Sequence, residues 1–264
     1  MTGMNMKRPL RGLALAAIAG LMSAGAADAH DGPHDVPDAG GPFAIGKGTA
    51  HTWVVTDAEN RPTAIGVSIS ADAISSVSGT SSIDVSMPLP EKAGISGLAF
   101  DHVYLNWNEH GHPPENLFGV PHFDVHFYMT DAAAREAISP AAPDFMEKGG
   151  RYPPAEFVPA GYAPPPTPDP VPQMGFHLTD TASDIFQGKP FTEVFIYGGW
   201  DGRITFLEPM ITLAMLESRA TVVREIKQPA RYSSPGYYPT QYRIAYDDAL
   251  AEHQVVLENF IWRD

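Results

Sequence analysis

The fold class this sequence predicts is all-β with minor helix: a single antiparallel sandwich or barrel carrying a long proline-rich surface segment. Three observations lead there. Gly 24 and Pro 26 in 264 residues place turns at short intervals. Between them lie short runs rich in Val, Ile, Thr, Phe and Tyr, many alternating with period two. Helical patterns are scarce, and no repeat of solenoid or propeller period is present.

Taken in order, 50–56 and 63–70 read as strands flanking the loop Asp57–Pro62. Residues 71–77 fit a turn or two of helix, and 78–82 form a Ser/Gly/Thr loop. Strands are expected at 83–87 and 98–107, with a Gly/Pro-broken loop at 108–120. A strand at 122–129 precedes a short helix over 131–138, with Asp131 near its N-terminus. Between Pro140 and Pro172 fall 11 of the 26 prolines. Each removes a ladder donor, so this stretch should be an arm or lid over the surface rather than a central strand. Strands at 191–197 and 203–213, joined through Gly198–Gly202, make the best hairpin. Strands at 242–246 and 254–262 close the chain.

The N-terminus reads as an address. Lys7, Arg8 and Arg11 precede an apolar run over 13–22, too short to span a bilayer, and Ala27-Asp28-Ala29 completes an A-x-A cleavage pattern. Export to a bacterial periplasm, or secretion, follows, with the cut after Ala29 or at the neighbouring Ala24-Gly25-Ala26. The division expected is a signal over 1–29, a flexible segment over 30–44 and one β-rich domain over 45–264. Cleavage after Ala29 would make His30 the new N-terminus, whose amine and imidazole, with His34 nearby, could chelate copper.

Lys+Arg 17 against Asp+Glu 31 gives a net charge of −14, which disfavours nucleic acid and anionic membrane surfaces as partners. With no cysteine there is no disulfide framework, thiolate zinc site or cysteine nucleophile. Phosphate-loop, H-E-x-x-H and G-x-S-x-G motifs are missing. Gly46-Lys47-Gly48 precedes a strand, where a dinucleotide loop needs a helix.

Histidine is what remains. Five of ten fall between 102 and 126: His102, His110, His112, His122 and His126. In the run 122–129 the even positions are His, Asp, His and Tyr, and the odd ones Phe, Val, Phe and Met. A strand therefore presents His122, Asp124, His126 and Tyr128 on one face and packs core with the other. His102, Tyr104 and Asn106 alternate in the same phase. His112, held between Gly111 and Pro113, should return over the strand and meet His122 and His126 in one metal pocket, with His177 a further ligand. Glu208 shares a face with the apolar Ile204, Phe206 and Met210, and a carboxylate so placed must be paired, protonated or metal-bound. Glu193 sits in a similar apolar row.

Plainer readings stand beside these. A polar strand face is commonly the solvated side of a sheet. Glu208 has Arg203, Arg219 and Arg243 as candidate ion-pair partners. His51 and His253 read as structural or exposed, and the tyrosines at 232, 237, 238, 242 and 246 as packing.

The blocks Gly111-His112-Pro113-Pro114, Pro121-His122-Phe123-Asp124-Val125-His126-Phe127-Tyr128, Met174–His177, Glu208-Pro209-Met210-Ile211-Thr212 and Gly236-Tyr237-Tyr238-Pro239-Thr240 resemble a family of exported bacterial proteins of unknown function. The resemblance covers roughly 45–262 and implies a single β-rich domain without assigning an activity. His110-Gly111-His112 with Glu115 has a faint likeness to cupins, but Pro113-Pro114 interrupts the strand and the carboxylate spacing is wrong.

Three function classes follow. The first is a divalent transition-metal site, with zinc favoured and Fe, Mn or Ni compatible, in which Asp124 or Glu208 would serve as general base if it is catalytic. The second is a metal-free periplasmic module that binds a small molecule. The third is a structural or assembly protein whose arm packs on a second copy of the chain in a homo-oligomer.

Overall fold

The computed structural model describes Met1 and residues 40–80, 82–90 and 95–264. The chain divides into two units, Met1–Gly32 and Pro33–Asp264, and the second carries everything below. The expected leader, His30 and His34 lie outside the described residues.

Strand formation follows the alternation. β1 (Gly40–Ile45), β2 (Gly48–Thr56) and β3 (Pro62–Ser70) open the fold. Among the described residues pairing begins at Gly40, inside the segment expected to be flexible. After α1 (Ala71–Ser76), capped by Ser70, come β4 (Ser82–Pro88), β5 (His102–Asn108) and β6 (His122–Tyr128), with α2 (Glu115–Phe118) in the loop between the last two. β5 starts four residues later than the apolar run suggested. Leu98 instead bridges to Tyr237. α3 (Ala132–Glu136) begins where Asp131 accepts the Ala134 N–H at 2.7 Å.

The proline-rich stretch contains α4 (Phe145–Gly149), a 3₁₀ turn at Ala155–Phe157 and the two-residue edge strand β7 (Tyr162–Ala163), but no central strand. Then follow β8 (Phe176–Asp180), β9 (Glu193–Trp200), β10 (Arg203–Thr212), α5 (Leu213–Glu217), β11 (Val222–Glu225), β12 (Gly236–Asp247) and β13 (Glu252–Arg263). The β9–β10 connection is tighter than the sequence suggested. The strands absorb Gly198, Gly199 and Trp200, leaving Asp201 and Gly202 as a two-residue turn with both φ positive, at 49° and 78°.

Two antiparallel sheets result, open-edged and packed as a sandwich. One runs β1-β2-β3-β13-β12-β11, the other β4-β5-β6-β10-β9-β8-β7. The odd-numbered side chains of β5 and β6 (Val103, Leu105, Trp107, Phe123, Val125, Phe127) enter the shared core with Ile65, Val67, Val255 and Leu257 of the opposite sheet. The even-numbered face of β5 and β6 is turned away from that core. It is nevertheless buried, because the chain folds back over it. The α2 loop lays Phe118 beside Ile196 and Met210, and Met174, just after the arm, packs on Tyr104, Tyr128 and Phe206. Gln173 ties this cover down: its carbonyl accepts from the Tyr128 hydroxyl at 2.9 Å and its side chain from Arg135.

One phase assumed from sequence fails. The β9–β10 register slips between Ile204 and Phe206, so Thr205 is the extra residue of a β-bulge. Ile204 is thereby turned to the inter-sheet core, while Phe206, Glu208 and Met210 stay on the histidine face.

Candidate metal centre

The buried face of the second sheet carries two triads, His112–His122–Asp124 and His126–His177–Glu208, and each could hold a metal ion. Within each triad the candidate ligand atoms lie within 4.8 Å of one another.

Register explains how they assemble. β6 supplies His122, Asp124 and His126 from alternate positions. Asn108 of β5 stands opposite His122 and Asn106 opposite Asp124. On the other flank β10 pairs Leu207 with Phe127 and Met210 with Asp124, which sets Glu208 beside His126. His177 comes from β8, beyond β9. It faces Gly198, which has no side chain to intervene, so the His177 and Phe206 rings meet at 5.3 Å over that glycine. His112 arrives from the loop, whose return is held by the His112 N–H donating to the Phe118 carbonyl at 3.2 Å. Gly111 makes that return feasible: its φ is +69° and a Cβ there would lie 2.0 Å from the Phe118 carbonyl oxygen.

In the first triad His122 Nε2 stands 3.1 Å from Asp124 Oδ1, and His112 Nε2 stands 3.4 Å from Oδ2. In the second, His126 Nε2 is 3.3 Å from Glu208 Oε1 and His177 Nε2 is 3.5 Å from Oε2. The opposite ring nitrogens are already engaged. Nδ1 lies 2.8 Å from the Pro113 carbonyl in His112, 2.7 Å from the Val120 carbonyl in His122 and 3.1 Å from the Tyr104 carbonyl in His126. A carbonyl only accepts, so each Nδ1 carries the proton and donates it. In the neutral ring Nε2 then presents a lone pair to a carboxylate oxygen. Lone pair against lone pair is repulsive unless a proton or a cation lies between them.

The buried atoms without a hydrogen-bond partner include His122 Nε2, Asp124 Oδ1, His126 Nε2 and Glu208 Oε2, all on these facing edges. Donors bound about 2.0–2.2 Å from one ion stand roughly 3–3.5 Å from each other, which is the imidazole–carboxylate separation in both triads. The outer shell fits as well: backbone carbonyls fix the three rings, and Asn108 Nδ2 donates to Asp124 Oδ2 at 2.8 Å. Each triad has one member near solvent, with the His112 side chain 35% and that of His177 22% exposed.

Electrostatics separate the two triads. Asp124, although buried, is held below the usual carboxylate range by the His112 and His122 rings that face its two oxygens. Burial pulls His112 down, but hydrogen bonding and charge attraction from Asp124 outweigh it, and the ring ends above its ordinary value. Around Glu208 burial dominates: the carboxyl is pushed well up, reinforced by the Asp124 charge, while His126 falls to about 4 and His177 to about 3. The surroundings thus favour the charged forms in the first triad and the neutral forms in the second.

The four histidines singled out from sequence are thus all in triads, but divided differently. His126 does not share a centre with His112 and His122. Along a strand it is ~13 Å from His122 at ~3.3 Å per residue, so each ring meets the carboxylate nearest to it. Asp124 and Glu208 each turn both carboxylate oxygens to imidazoles, in positions from which they could ligate a metal. None of the arginines weighed as partners for Glu208 contacts it: Arg243 pairs with Glu258, and Arg219 lies over the Tyr246 ring. Glu193, on β9, pairs with Arg224. Sequence reading missed Asn108, whose even-numbered place on β5 was the available signal, and Arg135, which is 2% exposed with its guanidinium 4.0 Å over the Tyr104 ring. His102, on the same face, is occupied with Asp101 at 2.8 Å and stacks on Tyr128.

Compared with known proteins, the chain matches no family model, no curated protein and no solved structure.

Proposed function

We propose that the protein is exported and there binds divalent transition metal, one ion in each triad, with zinc the preferred occupant. One observation carries the reading: the buried Nε2 atoms of His122 and His126, whose rings commit Nδ1 to backbone carbonyls, face carboxylate oxygens at 3.1 and 3.3 Å without a hydrogen bond. Two imidazoles and a carboxylate form an N/O donor set that suits zinc and leaves a fourth position for water. The same set accommodates Fe, Mn or Ni, so the element has to be measured. Export is supported by the basic, apolar and A-x-A pattern of the first 29 residues. No helix among the described residues is long and apolar enough to cross a membrane.

The test is elemental analysis of tag-free protein recovered from the periplasm of an export-competent host, with intact mass on the same sample. Expected are a chain shortened to begin at His30 or Ala27 and metal near one ion per triad. Asp124→Asn and Glu208→Gln should each remove only the ion of their own triad. An unshortened cytoplasmic chain overturns export. Protein that is metal-free as isolated, and takes up none when titrated with Zn²⁺, overturns the metal reading.

A further inference from the structure

On the other side of the second sheet, at one end of the inter-sheet core, lies a cavity of about 370 Å³, large enough for a small organic molecule. It is formed where the start of β10 and the end of β6 meet the loop before β12. Three features of it are left unexplained by packing.

The first is the β-bulge. By inserting Thr205, the chain turns Ile204 and Thr205 to the cavity wall, and the Thr205 hydroxyl is buried there without a hydrogen-bond partner. Bulges that re-aim a side chain are enriched next to binding sites, and a buried orphan hydroxyl calls for a partner. The second is aromatic. Tyr232 and Tyr238 stack at 3.7 Å and line the wall with Phe157, and both hydroxyls are already spent, on Gln228 and on the Ser234 carbonyl. They offer ring surface rather than polar groups.

The third is charge. Arg61, Arg135, Arg151, Arg224 and Arg243 each have a carboxylate partner. Among the described residues Arg203, Arg219, Arg231 and Arg263 have none, and Arg219 is taken up elsewhere, over the Tyr246 ring. Arg203 and Arg231 line the cavity, and the Arg263 guanidinium lies 5.5 Å from the centre of the Tyr232 ring. In a chain of net charge −14, three guanidiniums left without acidic partners around one aromatic cavity form a local positive site.

We propose that this cavity binds a small aromatic carboxylate, its ring against Tyr232, Tyr238 and Phe157 and its carboxylate met by Arg203 or Arg231 and the Thr205 hydroxyl. The site lies on the opposite face from the triads and does not depend on their occupancy. Guanidinium–carboxylate recognition supplies orientation, and ring burial supplies most of the affinity.

The probe is benzoate, titrated calorimetrically into the full-length mature protein, with benzamide as neutral isostere and inorganic phosphate as an anion without a ring. Benzoate alone should bind. The double variant Arg203→Gln/Arg231→Gln, changed only at exposed side chains, should weaken it by about tenfold or more while leaving the melting temperature without ligand close to the parent's. Thr205→Val keeps the shape of the bulged residue and should also weaken benzoate. Failure of benzoate to bind at millimolar concentration overturns the proposal. So does equal binding of benzamide or phosphate, or unchanged affinity in the double variant.

Discussion

Replacing Glu208 by glutamine separates a metal ligand from a structural ion pair, because the two roles predict opposite signs. The carboxyl is 2% exposed and its oxygens face His126 Nε2 at 3.3 Å and His177 Nε2 at 3.5 Å. Glutamine keeps the shape, is neutral in the unfolded chain as well and so avoids neutralising a buried carboxyl on folding, and adds an amide N–H that can donate to the unpartnered His126 Nε2. In chelator the variant should therefore be more stable than the parent, by about 1–3 kcal/mol, since a buried, poorly compensated polar group has been satisfied. For a chain of this size that is about 2–12 °C in melting temperature. With zinc at 100 to 1,000 times its dissociation constant, a filled site adds about 2.7–4.1 kcal/mol to the parent, or roughly 5–16 °C, and the variant forgoes the share from this triad. The order of melting temperatures should reverse between EDTA and Zn²⁺ in paired scanning-calorimetry runs. A variant less stable than the parent by the same amount in both buffers would refute the ligand role and restore a His–Glu ion pair.

Two further outcomes follow from the same geometry. Without metal, stability should peak near pH 6.5. Burial lowers His126 to about 4, His177 to about 3 and His253 to about 4, so below 6.5 the unfolded chain takes up protons that the fold refuses and stability falls with the pH. Glu208, raised by burial, keeps from about pH 4.5 upward a proton that the unfolded chain loses, and His112, raised by Asp124, does so from about 6.5, so above 6.5 nothing offsets them and stability declines. Each unbalanced proton contributes a slope of about 1.4 kcal/mol per pH unit, and urea unfolding in EDTA at pH 5, 6.5 and 8 would show a flat profile if the groups were solvated. Gly198→Ala should cost about 1–3 kcal/mol by overpacking, because its Cβ would stand 1.9 Å from Phe206 Cζ. As Phe206 walls the second triad, zinc stoichiometry should fall there alone, and an unperturbed melting temperature would contradict the close approach.

Much of this architecture was written in local patterns. The alternation over 122–129 named a core face and a histidine face, and both exist because a strand's side chains alternate whatever its neighbours do. Asp131 announced α3, since an N-cap bond is satisfied within four residues. The prolines of 140–172 ruled out central strands by removing ladder donors. Other features depended on pairing between distant segments. Period two could place His122 and His126 on one face, but only the register against β10 set Glu208 beside the second and gave each ring its own carboxylate. The bulge at Thr205 leaves no mark in composition, because it exists only relative to β9, and it moved Ile204 to the opposite face. That the histidine face is buried rather than solvated was likewise decided in three dimensions. Strand periodicity fixes which side a residue takes, whereas the α2 loop and the chain around Gln173 determine what covers that side, and hence why unpaired lone pairs can persist there.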